Sequence, residues 1–163
     1  MSLRAPRLAA LCRSFACAGR GLWRALRAER NLRIHLAATA LVFSLAPFYP
    51  FDRGDWALLF LACGLVWGAE LLNTAVERLC DRVCSDRDRA IGWVKDAAAG
   101  GVLACAVFAA GAGICLFGDP AGLCALGAAI ATPLGAGAAL ALLAALGLFV
   151  LCGGERKDDK THF

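Results

Sequence analysis

Four apolar stretches dominate this chain: Ile34 to Phe51, Trp56 to Leu79, Ala97 to Phe117 and Ala121 to Leu151. Each reaches or approaches the roughly 20 residues that a helix needs to cross the hydrocarbon of a bilayer. The 163 residues are 60% hydrophobic, and the charges are gathered into a few blocks instead of being spread along amphipathic faces. A soluble core of this size would not need such segregation. The expected fold is therefore all-α, an integral membrane helical protein.

Basic residues orient the spans, because Lys and Arg are retained on the cytoplasmic side while acidic residues contribute little. Eight arginines from Arg4 to Arg33 precede the first span. Arg78, Arg82, Arg87, Arg89 and Lys95 surround the second connection, and Arg156, Lys157 and Lys160 follow the fourth stretch. With both termini and the 80–96 connection in the cytosol, 16 of the 17 basic residues lie inside and Arg53 alone lies outside. The expected location is a membrane, crossed several times.

Residues 1–33 do not read as a cleavable signal, since the basic region is too long and no small-residue cleavage site follows the apolar run. They read as an interfacial amphipathic helix. Leu8, Leu11, Phe15, Leu22, Trp23 and Leu26 share one face, while Arg13, Arg20, Arg24 and Arg27 reach toward anionic headgroups. A solvated basic arm is the plainer alternative. Residues 34–117 then form a three-span core, and 118–163 an additional Gly/Ala-rich span with a polar tail. Pro133 and several glycines allow that last span to kink and to approach a neighbour closely. The nine cysteines contain no CxxC pair and read as small apolar packing residues.

The chemistry concentrates on the second span. At about 100° per residue, Glu70, Asn73, Glu77 and Asp81 fall within roughly a quarter of the helix circumference. Ionisable groups in a membrane segment are costly and point to function. Glu70 is the deepest and is suited to act as general base on a hydroxyl, whereas the more cytosolic Glu77 is suited to a divalent cation. The alternative is an interhelical polar clasp made by Asn73 and Glu70. Two further segments meet the same interface: Glu29-Arg30-Asn31-Leu32-Arg33-Ile34-His35 opens the first span, and Gly92-Trp93-Val94-Lys95-Asp96 opens the third. Lys95 can neutralise a polyphosphate, and Asp96 can cap its helix or accept a hydrogen bond from a nucleotide. Alone, His35 reads as a packed residue.

Together these segments resemble the small prokaryotic diacylglycerol kinase family, which includes the undecaprenol kinases of Gram-positive bacteria. The similarity rests on Glu29 to His35, on Glu70-Leu71-Leu72-Asn73-Thr74-Ala75-Val76-Glu77 with Asp81, and on Lys95-Asp96-Ala97-Ala98-Ala99-Gly100. It extends from about Ser14 to Phe117, and the Glu29 segment is more similar to the undecaprenol kinase branch. The resemblance implies a homotrimeric, ATP-dependent lipid kinase acting on undecaprenol or diacylglycerol, with magnesium as cofactor and no nucleic-acid partner. It implies that Glu70 is the catalytic base and that Glu29 and Glu77 bind the metal. Cys17, Glu29, Asn73, Glu77, Asp86, Arg87, Asp88, Lys95 and Asp96 would form the nucleotide site. Trp56, Glu70 and Ala99 would contact the lipid substrate. Cys17 stands where the family often has an aromatic residue, and the fourth span is an addition to the family's usual three. A proton- or cation-coupled transport subunit is the competing expectation, since intramembrane glutamates also relay ions. A non-catalytic assembly protein is a third.

Overall fold

A computed structural model describes residues 4–84 and 88–152, with side chains described from residue 9 onward. The described residues are helical with short connections: α1 Arg4–Ala28, α2 Arg30–Leu45, a 3-10 turn Ala46–Phe48, α3 Arg53–Val83, α4 Arg89–Phe117, α5 Pro120–Ile130 and α6 Pro133–Cys152. Within the span segments α2 with its 3-10 turn, α3, α4 and α6 are each long and apolar enough to cross a membrane. The protein is an all-α, multi-pass membrane protein, as the apolar stretches predict.

Local capping chemistry sets most of the helix starts. Asp52 and Asp55 form a reciprocal capping box at the head of α3, with Asp55 N donating to Asp52 Oδ1 at 2.9 Å and Asp52 N donating to Asp55 Oδ2 at 3.0 Å. Asp88 accepts from Ala90 N at 2.7 Å at the head of α4, and Asp119 accepts from Gly122 N at 2.8 Å at the head of α5. Thr132 Oγ1 accepts from Gly135 N at 3.0 Å at the head of α6, where Pro133 occupies the first helical position. Glu29 differs, because it stands at the head of α2 in an extended conformation with no side-chain cap bond. Its carboxylate is left for other partners.

Two boundaries differ from the sequence expectation. The interfacial helix ends at Ala28 and not at residue 33, so Arg30–Arg33 form the first turn of the first span. Glu29 N still donates to Ala25 O at 2.8 Å while Glu29 O accepts from Arg33 N at 3.4 Å. This one extended residue closes one helix and opens the next. The fourth apolar stretch is two helices, broken at Ala131 and Thr132, since a proline at 133 removes a helix hydrogen bond and disfavours helical geometry in the residue before it. The 11 residues of α5 reach only about 16 Å at 1.5 Å per residue and cannot cross; α6 makes the crossing.

The helices pack as an antiparallel α3–α4 pair with α2 against α3, and α6 against α2. α5 lies on the 3-10 turn that follows α2, whereas the last turn of α6 meets Arg33 near the start of α2. α6 therefore runs antiparallel to α2. The starts of α2 and α4 and the ends of α3 and α6 share one face of the bundle. The densest apolar packing is at the other face, where Ala46, Leu59 and Leu116 are buried. The rings of Phe43, Tyr49, Phe51, Trp56, Phe60 and Phe117 surround them, with centroids 4.8 Å apart for Phe43–Phe60 and 5.0 Å for Tyr49–Phe117.

Tyr49 also holds the C-terminal hairpin. Its buried ring lies where any Cβ on Gly122 would overlap it. Gly122→Leu should force the ring and α5 apart and destabilise the protein by about 1–3 kcal/mol, the usual cost of overpacking. Thermal unfolding in detergent micelles measures this, and an unchanged midpoint would show that α5 does not depend on the contact.

Candidate functional site

At the opposite face from the aromatic cluster, α3 carries a run of buried polar side chains inside a membrane helix. Glu70 is 3% exposed, Asn73 8% and Thr74 6%. The Asn31 and His35 side chains of α2, Glu29 at its head and Glu77 of α3 lie near the Glu70 carboxylate. One turn further along, Asn73 Nδ2 donates to Glu77 Oε1 at 3.2 Å. The Asn73 Oδ1 atom is buried with no hydrogen-bond partner among the described residues. A buried unpaired amide oxygen costs stability and marks an acceptor held ready for a donor.

The α1–α2 elbow brings Glu29 to this stripe. Glu29 Oε1 accepts from Arg78 Nη2 at 3.5 Å across to α3, with both side chains partly in solvent. Such an exposed pair contributes little to stability, so its replacement by another cation is inexpensive. Lys95 of α4 is paired with Asp81 of α3, closing the α3–α4 hairpin just beyond Glu77. Among the described residues, no three His, Cys, Asp or Glu side chains are arranged to enclose a metal ion by themselves.

Glu29, Glu70, Asn73 and Glu77 thus meet at one end of the bundle, with Lys95 beside them. Asp96 and Ala99 are exposed on α4, in the first half of that helix. Asp88 is engaged as the α4 cap. Asp86 and Arg87 lie outside the described residues. Cys17 is exposed on α1, where its Sγ accepts from Arg20 Nη2 at 3.0 Å. Trp56 lies in the aromatic cluster, 14 residues and about 21 Å along α3 from Glu70. Asn31, Arg78 and Arg33 also adjoin this region, beyond the site residues that the sequence singles out. Asn31 and Arg33 belong to the Glu29–His35 segment, so the motif carried a signal, but their partners lie on other helices.

Two grooves adjoin the polar end. One of about 260 Å³ runs between α2, α3 and α4; its walls are alanines and aliphatic side chains, and His35, Thr39 and Trp67 supply its polar part. There Trp67 Nε1 donates to Thr39 Oγ1 at 3.0 Å, and Thr39 Oγ1 donates to His35 O at 2.8 Å. The other, about 540 Å³, lies between α3 and α4, lined by Gly64, Gly68, Ala98 and Gly101, and it includes Asn73.

The profile of the family described as prokaryotic diacylglycerol kinase matches residues 16–117, more than half of the chain and all of the residues just described. The chain belongs to the prokaryotic diacylglycerol kinase family. It is 36% identical over 105 residues to the undecaprenol kinase of Bacillus subtilis, an alignment covering 64% of this chain and 85% of that protein. It is 35% identical over 108 residues to the diacylglycerol kinase of Synechocystis sp., covering 66% of this chain and 62% of that one. No solved structure matches it significantly. Membership of the diacylglycerol kinase family makes the chain a lipid kinase, a phosphotransferase with an alcohol acceptor. α5 and α6 lie beyond the matched residues.

Proposed function

We propose that this protein transfers the γ-phosphoryl group of ATP to the hydroxyl of a membrane lipid, undecaprenol in preference to diacylglycerol, at the cytosolic boundary of the inner membrane. The observation that carries this reading is the meeting of Glu29, Glu70 and Glu77 at one end of the bundle. The preference for undecaprenol is supported by the greater coverage of the Bacillus subtilis relative.

Phosphoryl transfer asks little covalent help of a protein and depends on placement and charge. The lipid keeps its chain in the bilayer, and the groove between α2, α3 and α4 offers an apolar bed that ends at His35, beside Glu70. Glu70 takes the hydroxyl proton as the lipid oxygen attacks the γ-phosphorus and the bond to the β-phosphate oxygen breaks. Asn73 holds Glu77 in place through Nδ2, and its unpaired Oδ1 is an acceptor available to a donor of the bound nucleotide or its hydration shell. Lys95 exchanges Asp81 for phosphate oxygens, and Asp88, Asp96 and Cys17 are the further nucleotide-site residues that the family resemblance implies.

Glu29 and Glu77 are the residues that would hold Mg2+, a fit because this ion keeps several waters and takes one or two carboxylates together with phosphate oxygens. When bound, the ion neutralises charge on the phosphates. The same reading includes a homotrimer, for which the small-residue groove between α3 and α4 provides a close-approach surface. It also sets both termini in the cytosol, since the face that gathers the carboxylates is the face rich in Arg and Lys. No corresponding observation favours a transport subunit.

Purified protein in mixed micelles, given labelled ATP, magnesium and either lipid, should phosphorylate undecaprenol faster than diacylglycerol. If neither lipid becomes labelled and nucleotide binding is also absent, the proposal fails.

A further inference from the structure

Arg33 is 6% exposed, yet its guanidinium reaches the ends of two other helices. Nη1 donates to Leu26 O at 3.2 Å and Arg27 O at 3.1 Å, in the last turn of α1. Nε donates to Val150 O at 3.4 Å, in the last turn of α6. Carbonyls in a helix's final turn have no intrahelical donor, and they carry the negative end of the helix dipole. A single buried cation answers both needs at once. Its own backbone N–H donates to Glu29 O, so the elbow that carries Glu29 is held from both sides by one residue.

Apart from this bond, α6 is held by apolar contact with α2 and α5. None of its residues is fully buried, and only one stripe, including Ala139, Leu142, Leu146 and Phe149, is half-covered at helical spacing. The helix also lies beyond residues 16–117, the part of the chain common to the family. The link from Val150 to Arg33 ties this added span to the segment that presents a candidate metal carboxylate.

We propose that Arg33 is a positioning residue: it locks α6 onto the α1–α2 elbow and so fixes the Glu29 carboxylate opposite Glu70, which makes the fourth span part of the kinase machinery. The effect on Glu29 rests on the lipid kinase reading, while the clasp itself does not. Lysine at 33 cannot replace it fully, because one ammonium lacks the fork that reaches separated acceptors.

The test uses full-length protein in mixed micelles, comparing wild type with Arg33→Gln, Arg33→Lys and Ala139→Trp. Ala139→Trp wedges α6 from its neighbours without touching Arg33. Amide hydrogen exchange should show loss of protection at both 26–32 and 146–152 in Arg33→Gln and in Ala139→Trp, with a smaller loss in Arg33→Lys. Loosening of 146–152 in Ala139→Trp with 26–32 unchanged would overturn the coupling, as would Arg33→Gln loosening only one of the two segments. In the kinase assay, Arg33→Gln should raise the magnesium concentration for half-maximal rate by about tenfold, as loss of a residue supporting a metal ligand does, with a smaller change in kcat and partial recovery in Arg33→Lys. An equal fall in rate at every magnesium concentration would reduce Arg33 to a folding role. If wild type phosphorylates neither lipid, the proposed function fails, and the exchange pattern still decides whether the clasp exists.

Discussion

Glu70→Gln should leave ATP affinity near wild type and lower turnover by about 100- to 10,000-fold, the range that a positioned general base contributes. The amide is nearly isosteric with the carboxylate and can keep the contact with Asn31, so the packing around position 70 survives. What disappears is the group proposed to receive the hydroxyl proton. Binding of a fluorescent ATP analogue measured beside steady-state turnover separates the two quantities. A variant that keeps its turnover would leave Glu70 as part of a polar clasp and remove it from the chemistry.

Glu77→Gln should have the opposite signature. The position loses a charged oxygen ligand but keeps an acceptor for Asn73, so the helix is undisturbed and magnesium-dependent nucleotide binding weakens. A charge-assisted contact of about 1.5–3 kcal/mol corresponds to roughly a 10- to 100-fold rise in the KM for MgATP. Added magnesium should recover part of the loss in Glu77→Gln and none in Glu70→Gln. Identical kinetic behaviour of the two variants would contradict the division of labour between them.

The features legible in the sequence are those fixed within one helix or by the bilayer. Glu70, Asn73 and Glu77 share a face because helical periodicity dictates it, and the observed Asn73–Glu77 bond is an i, i+4 contact. The apolar stretches mark the candidate crossings for the same reason. Features set by distant partners were not legible. The Glu29 carboxylate meets Arg78, 49 residues away on α3. Lys95 reads as a phosphate ligand on its own helix and is found paired with Asp81 across a hairpin. Trp56 reads as lipid-facing from its motif position, and the rings of Phe43, Phe51 and Phe60 gather around it. The division of the last stretch at Pro133 was visible as a kink. Its outcome as a turn depended on Thr132 capping the next helix.

α3 runs for 31 residues without interruption, about 46 Å of helix where the hydrocarbon is only about 30 Å thick. Anchored at its Arg53 end, this rod overhangs the opposite leaflet by about 16 Å, and Glu77 and Asp81 sit on the overhang while Glu70 stays below its base. On the proposed role of Glu70, bilayer thickness should set the rate: shorter acyl chains would lift Glu70 toward the polar layer and longer ones would sink it. Reconstitution into phosphatidylcholines of graded chain length should give a rate maximum at one thickness, with the optimum shifting when a turn is added between Arg53 and Glu70.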